Sequence, residues 1–332
     1  MADVKAKYSE RVEAMVPGGG KGVDLPSELL DAWADMKVQK ESPSSFASFL
    51  ECPTKWFVER HLGPLHEKTG KTILGITDFT RQPANQWGVG GSLAHRALEV
   101  LYTEPPGFRT REVLEDIYDH AWDCLKAGDI DDGIVSKSLV TEWESVLANL
   151  TDPPKSFKSF FRTTYRDLAL AIFDMETPPR VNVLANEQIV RLQQGRLNVF
   201  GKIDRTDRTL NGLEKIVDYK TGKNPTGEVS VFNKTFLPSG IYALARHRAR
   251  ADNISALPVA GVQLVYLKSG ERFSIKATPE MYRDVEEVLD MIGNETAAIA
   301  DRGYVPTSPA ASKDDAPCRF CKIRDLCPDW NE

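Results

Sequence analysis

The feature that most constrains the fold is a strand-turn-strand pattern at residues 201–222, GKIDRTDRTLNGLEKIVDYKTG. Apolar and β-branched residues on both sides of Asn211-Gly212 favour two antiparallel strands joined by a tight turn. Asp218 and Lys220 are two residues apart, so a strand places both side chains on one face. Asp204 lies on the preceding strand, and the register of the hairpin decides whether it joins that face.

Two turns are compatible with Asn211-Gly212. A two-residue loop pairs Leu210 with Leu213, which sends Asp204 and Asp218 to opposite faces of the sheet. A three-residue loop with Gly212 in the left-handed conformation pairs residue 209 with 213, and therefore 204 with 218.

Facing carboxylates repel each other, so the second register makes sense chiefly if a divalent cation lies between Asp204 and Asp218. Carboxylate oxygens suit Mg²⁺ or Mn²⁺. Lys220 could then orient an attacking water and help to deprotonate it. From the D-x-K spacing alone, a solvated surface hairpin is the alternative.

The rest of the chain predicts an α/β fold with a mixed central sheet flanked by helices. Residues 1–40 are interpreted as a loosely attached extension, and 41–332 as a single domain. Within that domain, 41–180 are mainly helical, with two short helices broken at Pro53 and Ser44 as an N-cap, and with a helix after the GVGGS stretch. Residues 181–277 carry the strands and one helix at about 239–250, and 278–332 carry a long helix and a cysteine cluster.

Composition excludes some classes of protein. The longest apolar stretch, Leu257 to Leu267, is interrupted by Gln263 and falls short of the roughly 20 residues of a membrane-spanning helix. The first residues contain no apolar signal core, so we expect a reducing cytoplasm and no membrane. A net charge of -6 argues against a uniformly positive surface, although Lys234, Arg246, Arg248 and Arg250 form a local basic run.

The cysteines predict a metal centre. Cys318, Cys321 and Cys327 follow a C-x2-C-x5-C spacing, and Cys52 lies far upstream as a possible fourth ligand. The spacing does not separate zinc from an iron-sulfur cluster. Cys124 lies in an apolar helical pattern and is interpreted as a core thiol.

The hairpin motif resembles the core of RecB-type nucleases in the PD-(D/E)xK superfamily, where an acid on one strand precedes D-x-K or E-x-K on the next. The segment GGSLAHRALE resembles the histidine motif of the same family. The resemblance implies that His95, Asp204, Asp218 and the backbone carbonyl of Tyr219 bind Mg²⁺ or Mn²⁺. It also implies that Asp204, Asp218 and Lys220 are catalytic. Without the resemblance, His95 would be interpreted as a lone core histidine.

Two further matches are weaker. Glu187 lies where the family often has a strand glutamate. Tyr242 matches the tyrosine of a motif that usually begins with glutamine four residues earlier, but this chain has Pro238 there. The helix that follows the D-x-K strand should begin near the site, with Tyr242 and Arg246 one turn apart and available to contact DNA. Packing of Tyr242 in the core is the alternative.

The segments SPSSFASFLECPTKWFVERHLG and APCRFCKIRDLC resemble the iron-sulfur branch of these nucleases, which includes AddB and the CRISPR-associated single-strand exonucleases. The resemblance implies a restriction-endonuclease-like fold and a structural [4Fe-4S] cluster on Cys52, Cys318, Cys321 and Cys327. It further implies a DNA exonuclease, acting on single strands in recombination, repair or CRISPR-like DNA processing. The alternative is a nuclease-fold DNA-binding or assembly factor that acts through a helicase or an integration complex.

Overall fold

The computed structural model describes residues 22–36, 39–65, 86–150, 156–253, 255–307, 318, 321, 327 and 328. The helices are α1 (Ser27–Ala34), α2 (Pro43–Glu51), α3 (Pro53–Phe57), α4 (Gln86–Thr103), α5 (Arg111–Ala127), α6 (Lys137–Asn149), α7 (Phe157–Leu170), α8 (Ile172–Met175), α9 (Leu237–Asp252) and α10 (Pro279–Arg302). The strands are β1 (Gly22–Asp24), β2 (Gln39–Glu41), β3 (Val183–Gln194), β4 (Leu197–Arg208), β5 (Glu214–Lys220), β6 (Val259–Tyr266), β7 (Glu271–Lys276) and β8 (Tyr304–Pro306).

The described strands form a mixed central sheet of six strands in the order β2-β4-β5-β6-β7, with β3 also paired to β4. β2 runs parallel to β4, and β5 runs parallel to β6. The remaining pairs are antiparallel. Helix α9 connects the parallel strands β5 and β6, which is the connection that a parallel pair requires. The predicted α/β class with a mixed sheet and flanking helices is confirmed.

Hydrophobic side chains cover both faces of the sheet. Ile216 and Leu264 pack with α9, α10 and the N-terminal helices, whereas their chain neighbours Val217 and Val265 pack with helices α4 to α7. Successive strand residues point to opposite faces, so β5 and β6 are buried on both sides. The helical layer formed by α4 to α7 therefore lies over one face of the strands that carry the D-x-K motif.

Residues 22–36 are not a loose extension. β1 pairs with β8, and Leu29 and Trp33 are fully buried in the core. The indole nitrogen of Trp33 donates a hydrogen bond to the carbonyl of Thr296 at 2.7 Å. The prediction was wrong for this segment because its partners lie near the other end of the chain. The glycine-rich segment at 18–22 lies largely outside the described residues.

The helical region follows the predicted pattern with shifted boundaries. Two short helices do flank Cys52, but α2 begins at Pro43, and Ser42 rather than Ser44 is its N-cap residue. Proline is favoured at the first helical position because its fixed φ suits a helix and its missing N–H leaves no donor unpaired. α4 begins at Gln86, so the GVGG stretch lies inside the helix.

Among the described residues, no helix has both the length and the apolar character needed to cross a bilayer.

Candidate functional site

The β4–β5 hairpin adopts the three-residue loop. Gly212 has a φ of 74°, and the Thr209 N–H donates to the Leu213 carbonyl at 2.8 Å. Arg205 pairs with Val217 and Thr206 with Ile216. Continuing this register by one residue places Asp204 across from Asp218. The register predicted from a left-handed Gly212 is therefore confirmed, and the two acids lie on the same face.

His95 and Lys220 each approach one of these acids. The His95 Nδ1 lies 3.5 Å from Asp204 Oδ2, and the Lys220 Nζ lies 2.7 Å from Asp218 Oδ2. Asp204 Oδ2 also accepts a hydrogen bond from the Tyr219 backbone N–H at 2.8 Å. Two acids and a lysine from the hairpin and a histidine from α4 thus form one polar cluster at the end of β5.

The pKa values of the cluster reflect these pairs. Burial alone would lower the pKa of His95, but the Asp204 carboxylate raises it above its ordinary value. Burial would raise the pKa of Asp204, but His95 and the Tyr219 N–H hold it below the usual range. Burial raises the pKa of Asp218, because Lys220 offsets only part of that cost. The acid pair is therefore not simply repulsive, since a basic side chain lies beside each acid.

Two glycines bring His95 to the strand. A Cβ on Gly90 would lie 2.2 Å from the ring of Tyr165, and one on Gly91 would lie 2.8 Å from the Thr221 hydroxyl. Only glycine permits this close approach of α4 to α7 and to the residue after β5. The imidazole of His95 then packs edge-on against the Tyr219 ring, with 5.9 Å between the ring centroids.

Glu187 lines a cleft that also contains His95 and Asp204. In the β3–β4 register Asn186 pairs with Arg205 and Gln188 with Ile203, so Glu187 falls opposite Asp204. Its φ is 49°, which is uncommon for a residue other than glycine and recurs at functional sites. Its carboxylate forms an ion pair with Lys202, and burial raises its pKa. The cleft has a volume of about 540 Å³ and lies between α4, the α5–α6 connection and the β3–β4 pair.

The acids suit a hard divalent cation, because two carboxylates and an imidazole lie at one end of the sheet and are only partly exposed. As they stand, Asp204 turns towards His95 and Asp218 towards Lys220. His95, Asp204 and Asp218 are accordingly not a group whose ligand atoms all lie within 4.8 Å of one another. A bound ion would have to draw the carboxylates together. The ligand role of the Tyr219 carbonyl stays a prediction.

Tyr242 lies near the acids, as predicted from its place in the first half of α9. It is half-buried against the core, and a Cβ on Gly201 would touch its ring at 2.8 Å. Burial raises the pKa of Tyr242, and the charges of Asp218 and Asp204 raise it further. The structure therefore shows Tyr242 packed against the core, and its contact with DNA stays a prediction.

Arg246 takes a different place from the one predicted. Its Nε and Nη2 donate to the two carboxylate oxygens of Glu214 at 2.8 and 2.9 Å. Glu214 lies at the start of β5, whereas Asp218 lies near its end. The physical reason is that Glu214 is buried and requires a counterion. This ion pair argues against a phosphate contact by Arg246.

The sequence interpretation missed an ionic network beneath the site. Arg205, which is fully buried, donates to Glu176 at 2.7 Å, to Asp207 at 3.1 Å and to the Tyr219 hydroxyl at 2.5 Å. Its guanidinium also lies 4.0 Å from the centroid of the Tyr102 ring. Arg205 and Tyr219 directly follow Asp204 and Asp218 in their strands, so their side chains point to the other face of the sheet. The network fixes these two side chains there. The segment IDRTDR places two acids next to an arginine, and this is the sequence pattern that could have indicated the network.

The four cysteines predicted to bind a metal centre come from two distant parts of the chain. Cys52 lies between α2 and α3, and Cys321 packs against the hydrophobic core that contains those helices. Cys318, Cys321 and Cys327 are, like Cys52, partly buried and outside any disulfide. Four thiols from the two ends of the chain fit a cluster by their chemistry, and the convergence of their sulfur atoms stays a prediction. Cys124 is buried in α5 as predicted.

Comparison with known proteins agrees with this geometry. No curated protein matches the chain significantly. The family model described as the PD-(D/E)XK nuclease superfamily matches residues 40–328, which is most of the chain and includes the hairpin, the histidine helix and the cysteines. PD-(D/E)XK nucleases generally use divalent metals such as Mg²⁺ or Mn²⁺. With its acid pair, its lysine and its mixed sheet arranged as described, the chain belongs to the PD-(D/E)XK nuclease superfamily.

Proposed function

We propose that this protein is a divalent-metal-dependent DNA exonuclease that hydrolyses phosphodiester bonds, with single-stranded DNA as its substrate. The observation that carries the proposal is the register of the β4–β5 hairpin, which puts Asp204 and Asp218 across from each other beside His95 and Lys220. A fold that retained no hydrolytic role would have little reason to keep four ionisable groups in one partly buried cluster.

In this proposal Asp204, Asp218, His95 and the Tyr219 carbonyl would hold Mg²⁺ or Mn²⁺, and Glu187 lies close enough to assist. The bound cation would polarise a phosphoryl oxygen and lower the pKa of water. Lys220 would orient the attacking water and stabilise negative charge on the phosphoryl group. Burial lowers the pKa of Lys220, but Asp218 raises it above its ordinary value, so the side chain is an ammonium at neutral pH. This favours charge stabilisation over the deprotonation of water.

The single-strand preference and the exonuclease mode are supported by the resemblance to the iron-sulfur branch of RecB-type nucleases. The same resemblance supports a role in recombination, repair or CRISPR-like DNA processing, with a helicase or integration complex as a partner. In this proposal Tyr242 would contact the nucleotide next to the scissile bond.

We also propose a structural [4Fe-4S] cluster on Cys52, Cys318, Cys321 and Cys327. It would fasten the α2–α3 junction to the C-terminal segment, which closes a loop of most of the chain. Replacing Cys321 by serine should release iron and remove the visible absorption, whereas Cys124→Ser should keep both. Iron and acid-labile sulfide analysis of the purified proteins measures this. Zinc in place of iron in the wild-type protein would contradict the cluster.

A nuclease-fold assembly factor without activity is the second candidate. Pro238 favours it, because it occupies the first turn of α9 where the family motif usually has glutamine. The intact acid pair and Lys220 weigh against it.

Digestion of internally labelled DNA with Mn²⁺ separates the two candidates. Wild-type protein should degrade linear single strands and leave circular single strands intact, because an exonuclease needs an end. Lys220→Met should lose cleavage by at least about a hundredfold, as expected for the loss of transition-state charge stabilisation. Lys276→Met, which changes an exposed lysine on β7, is the matched control and should cleave normally. Equal cleavage by wild type and Lys220→Met would refute the proposed mechanism, and DNA binding without cleavage would favour the assembly factor.

A further inference from the structure

A second group of potential metal ligands lies away from the acid pair. His120 and Cys124 are one turn apart on α5, and Asp132 lies in the connection between α5 and α6. Within the described parts of the chain, these are the only three His, Cys, Asp or Glu residues whose ligand atoms all lie within 4.8 Å of one another. The proposed nuclease function assigns them no role.

The distances suit a small cation. Cys124 Sγ lies 3.9 Å from both ring nitrogens of His120 and 3.9 Å from Asp132 Oδ2. In a tetrahedral zinc site the ligand atoms are separated by about 3.5 Å, given bonds of about 2.0 to 2.3 Å. The imidazole of His120 is now hydrogen-bonded to Asp132. Their side chains are 57% and 43% exposed, so they can separate to admit an ion.

The surroundings hold the ligands in place. Asp132 Oδ1 accepts a hydrogen bond from the Ile134 N–H at 2.8 Å, which leaves Oδ2 directed at the other two ligands. Cys124 is buried, so its sulfur is fixed by packing on the helix. A hydrogen bond from the protein to a ligand carboxylate is the kind of outer contact that orients metal ligands.

The same connection forms a wall of the cleft that contains His95. Gly133 and Ser136 line that cleft. Arg96, the residue after His95, donates to the carbonyls of Ile134 at 2.9 Å and Gly133 at 3.0 Å. An ion between α5 and Asp132 would therefore fix the wall opposite the sheet.

We propose that His120, Cys124 and Asp132 bind a borderline-soft divalent cation of the Zn²⁺ class, with water as the fourth ligand, and that this ion fastens the 129–136 connection to α5. Thiolate, imidazole and carboxylate together select Zn²⁺ over Mg²⁺. The site is separate from the acid pair and does not depend on whether the protein cleaves DNA.

Titration with Co²⁺, a spectroscopic substitute for zinc, tests the site on the full-length protein without DNA. Wild-type protein should bind one more equivalent of Co²⁺ than Cys124→Ser and should show an additional thiolate-to-cobalt charge-transfer band. Comparing the two proteins cancels Co²⁺ bound by the acid pair or by other cysteines. His120→Ala and Asp132→Asn should each weaken this binding by at least about tenfold. Asp129→Asn removes a neighbouring charge outside the ligand group, and it should bind like the wild type.

Hydrogen exchange tests the structural consequence. Zn²⁺ should slow amide exchange in residues 129–136 of the wild type and of Asp129→Asn, but not of Asp132→Asn. Equal Co²⁺ stoichiometry and equal bands in wild type and Cys124→Ser would overturn the site, with circular dichroism used to verify that the variant is folded. If Cys124→Ser does not fold, the partly exposed His120 and Asp132 variants decide the question. Unchanged exchange on saturation with Zn²⁺ would overturn the fastening role.

Discussion

Replacing Arg246 by alanine should destabilise the protein rather than weaken a phosphate contact. The guanidinium of Arg246 forms a two-bond ion pair with Glu214, whose side chain is only 2% exposed, while that of Arg246 is 18% exposed. Removing one partner of a buried pair leaves the other charge without compensation, at a cost of about 3 to 5 kcal/mol. Because Arg246 is partly exposed, water can reach Glu214 after truncation, and we expect the lower end, about 3 kcal/mol.

Urea unfolding of the two proteins measures this loss. Arg248→Ala is the comparison on the same helix. It removes a pair with Glu286 that is 37% and 35% exposed and two hydrogen bonds, to Gln193 and Gln194. Since water can replace these partly exposed contacts, it should cost less stability than Arg246→Ala. Adding Glu214→Gln to Arg246→Ala should recover part of the stability, since an uncharged amide is less costly to bury than a lone carboxylate.

DNA binding at several salt concentrations completes the test. Arg246→Ala should retain the salt slope of the wild type, because Arg246 neutralises Glu214 and not a phosphate. The structural interpretation would be refuted if Arg246→Ala unfolded at the wild-type urea concentration while its salt slope decreased by about one.

Two more predictions follow from the cleft and from α4. Mn²⁺ affinity, measured by calorimetry, should fall as the pH drops through the raised pKa values of His95 and Asp218. The reason is that the ion must displace the protons of these two groups. A constant affinity between pH 8 and pH 5 would contradict this prediction. Gly90→Ala should lower stability by about 1 to 3 kcal/mol, because its Cβ would overlap the ring of Tyr165. Gly107→Ala, where nothing lies within 4 Å of the added Cβ, should show no such loss in thermal unfolding.

Local chemistry made the hairpin predictable and limited its register to two alternatives, of which the structure has the three-residue loop. Asn211-Gly212 allows a left-handed residue at one position, and that position fixes which residues on the two strands are paired. The three-residue loop places Asp204 and Asp218 on one face, and the two-residue loop would have placed them on opposite faces. Helix α10 and strand β7 were predictable for the same reason, because a continuous periodic pattern marks their extent.

Long-range partners were not predictable. The basic run around Arg246 does not indicate which of its arginines has a buried partner. Arg246 pairs with the buried Glu214 on β5, whereas Arg248 on the same helix pairs with the partly exposed Glu286. The strand pair β1–β8 joins residues near 22 and 306, and its existence depends on the whole fold. Charge patterns in sequence therefore identify candidates for substrate contacts, but burial decides which charges are structural.

The acid pair shows how structure separates two residues that the sequence treats alike. From repulsion alone, neutralising either Asp204 or Asp218 should leave the metal-free protein as stable as before or more stable. The structure predicts opposite effects instead. Asp204 has a lowered pKa, so its charge contributes stability that is present above the unfolded pKa and is lost as the pH falls through the folded value. Asp218 has a raised pKa, so its contribution is present at low pH and is lost as the pH rises through the folded value.

At neutral pH and without divalent cations, Asp204→Asn should therefore destabilise the protein. The loss should be about 1 kcal/mol, the difference between a hydrogen bond to a charged acceptor and one to a neutral acceptor, because the Asn amide oxygen can still accept the Tyr219 N–H but the charge beside His95 is lost. Asp218→Asn should be neutral or stabilising, since it removes a buried charge that Lys220 compensates only in part. Thermal unfolding of both variants without divalent cations measures the difference, and equal shifts in the same direction would show that repulsion between the acids outweighs their separate pairing with His95 and Lys220.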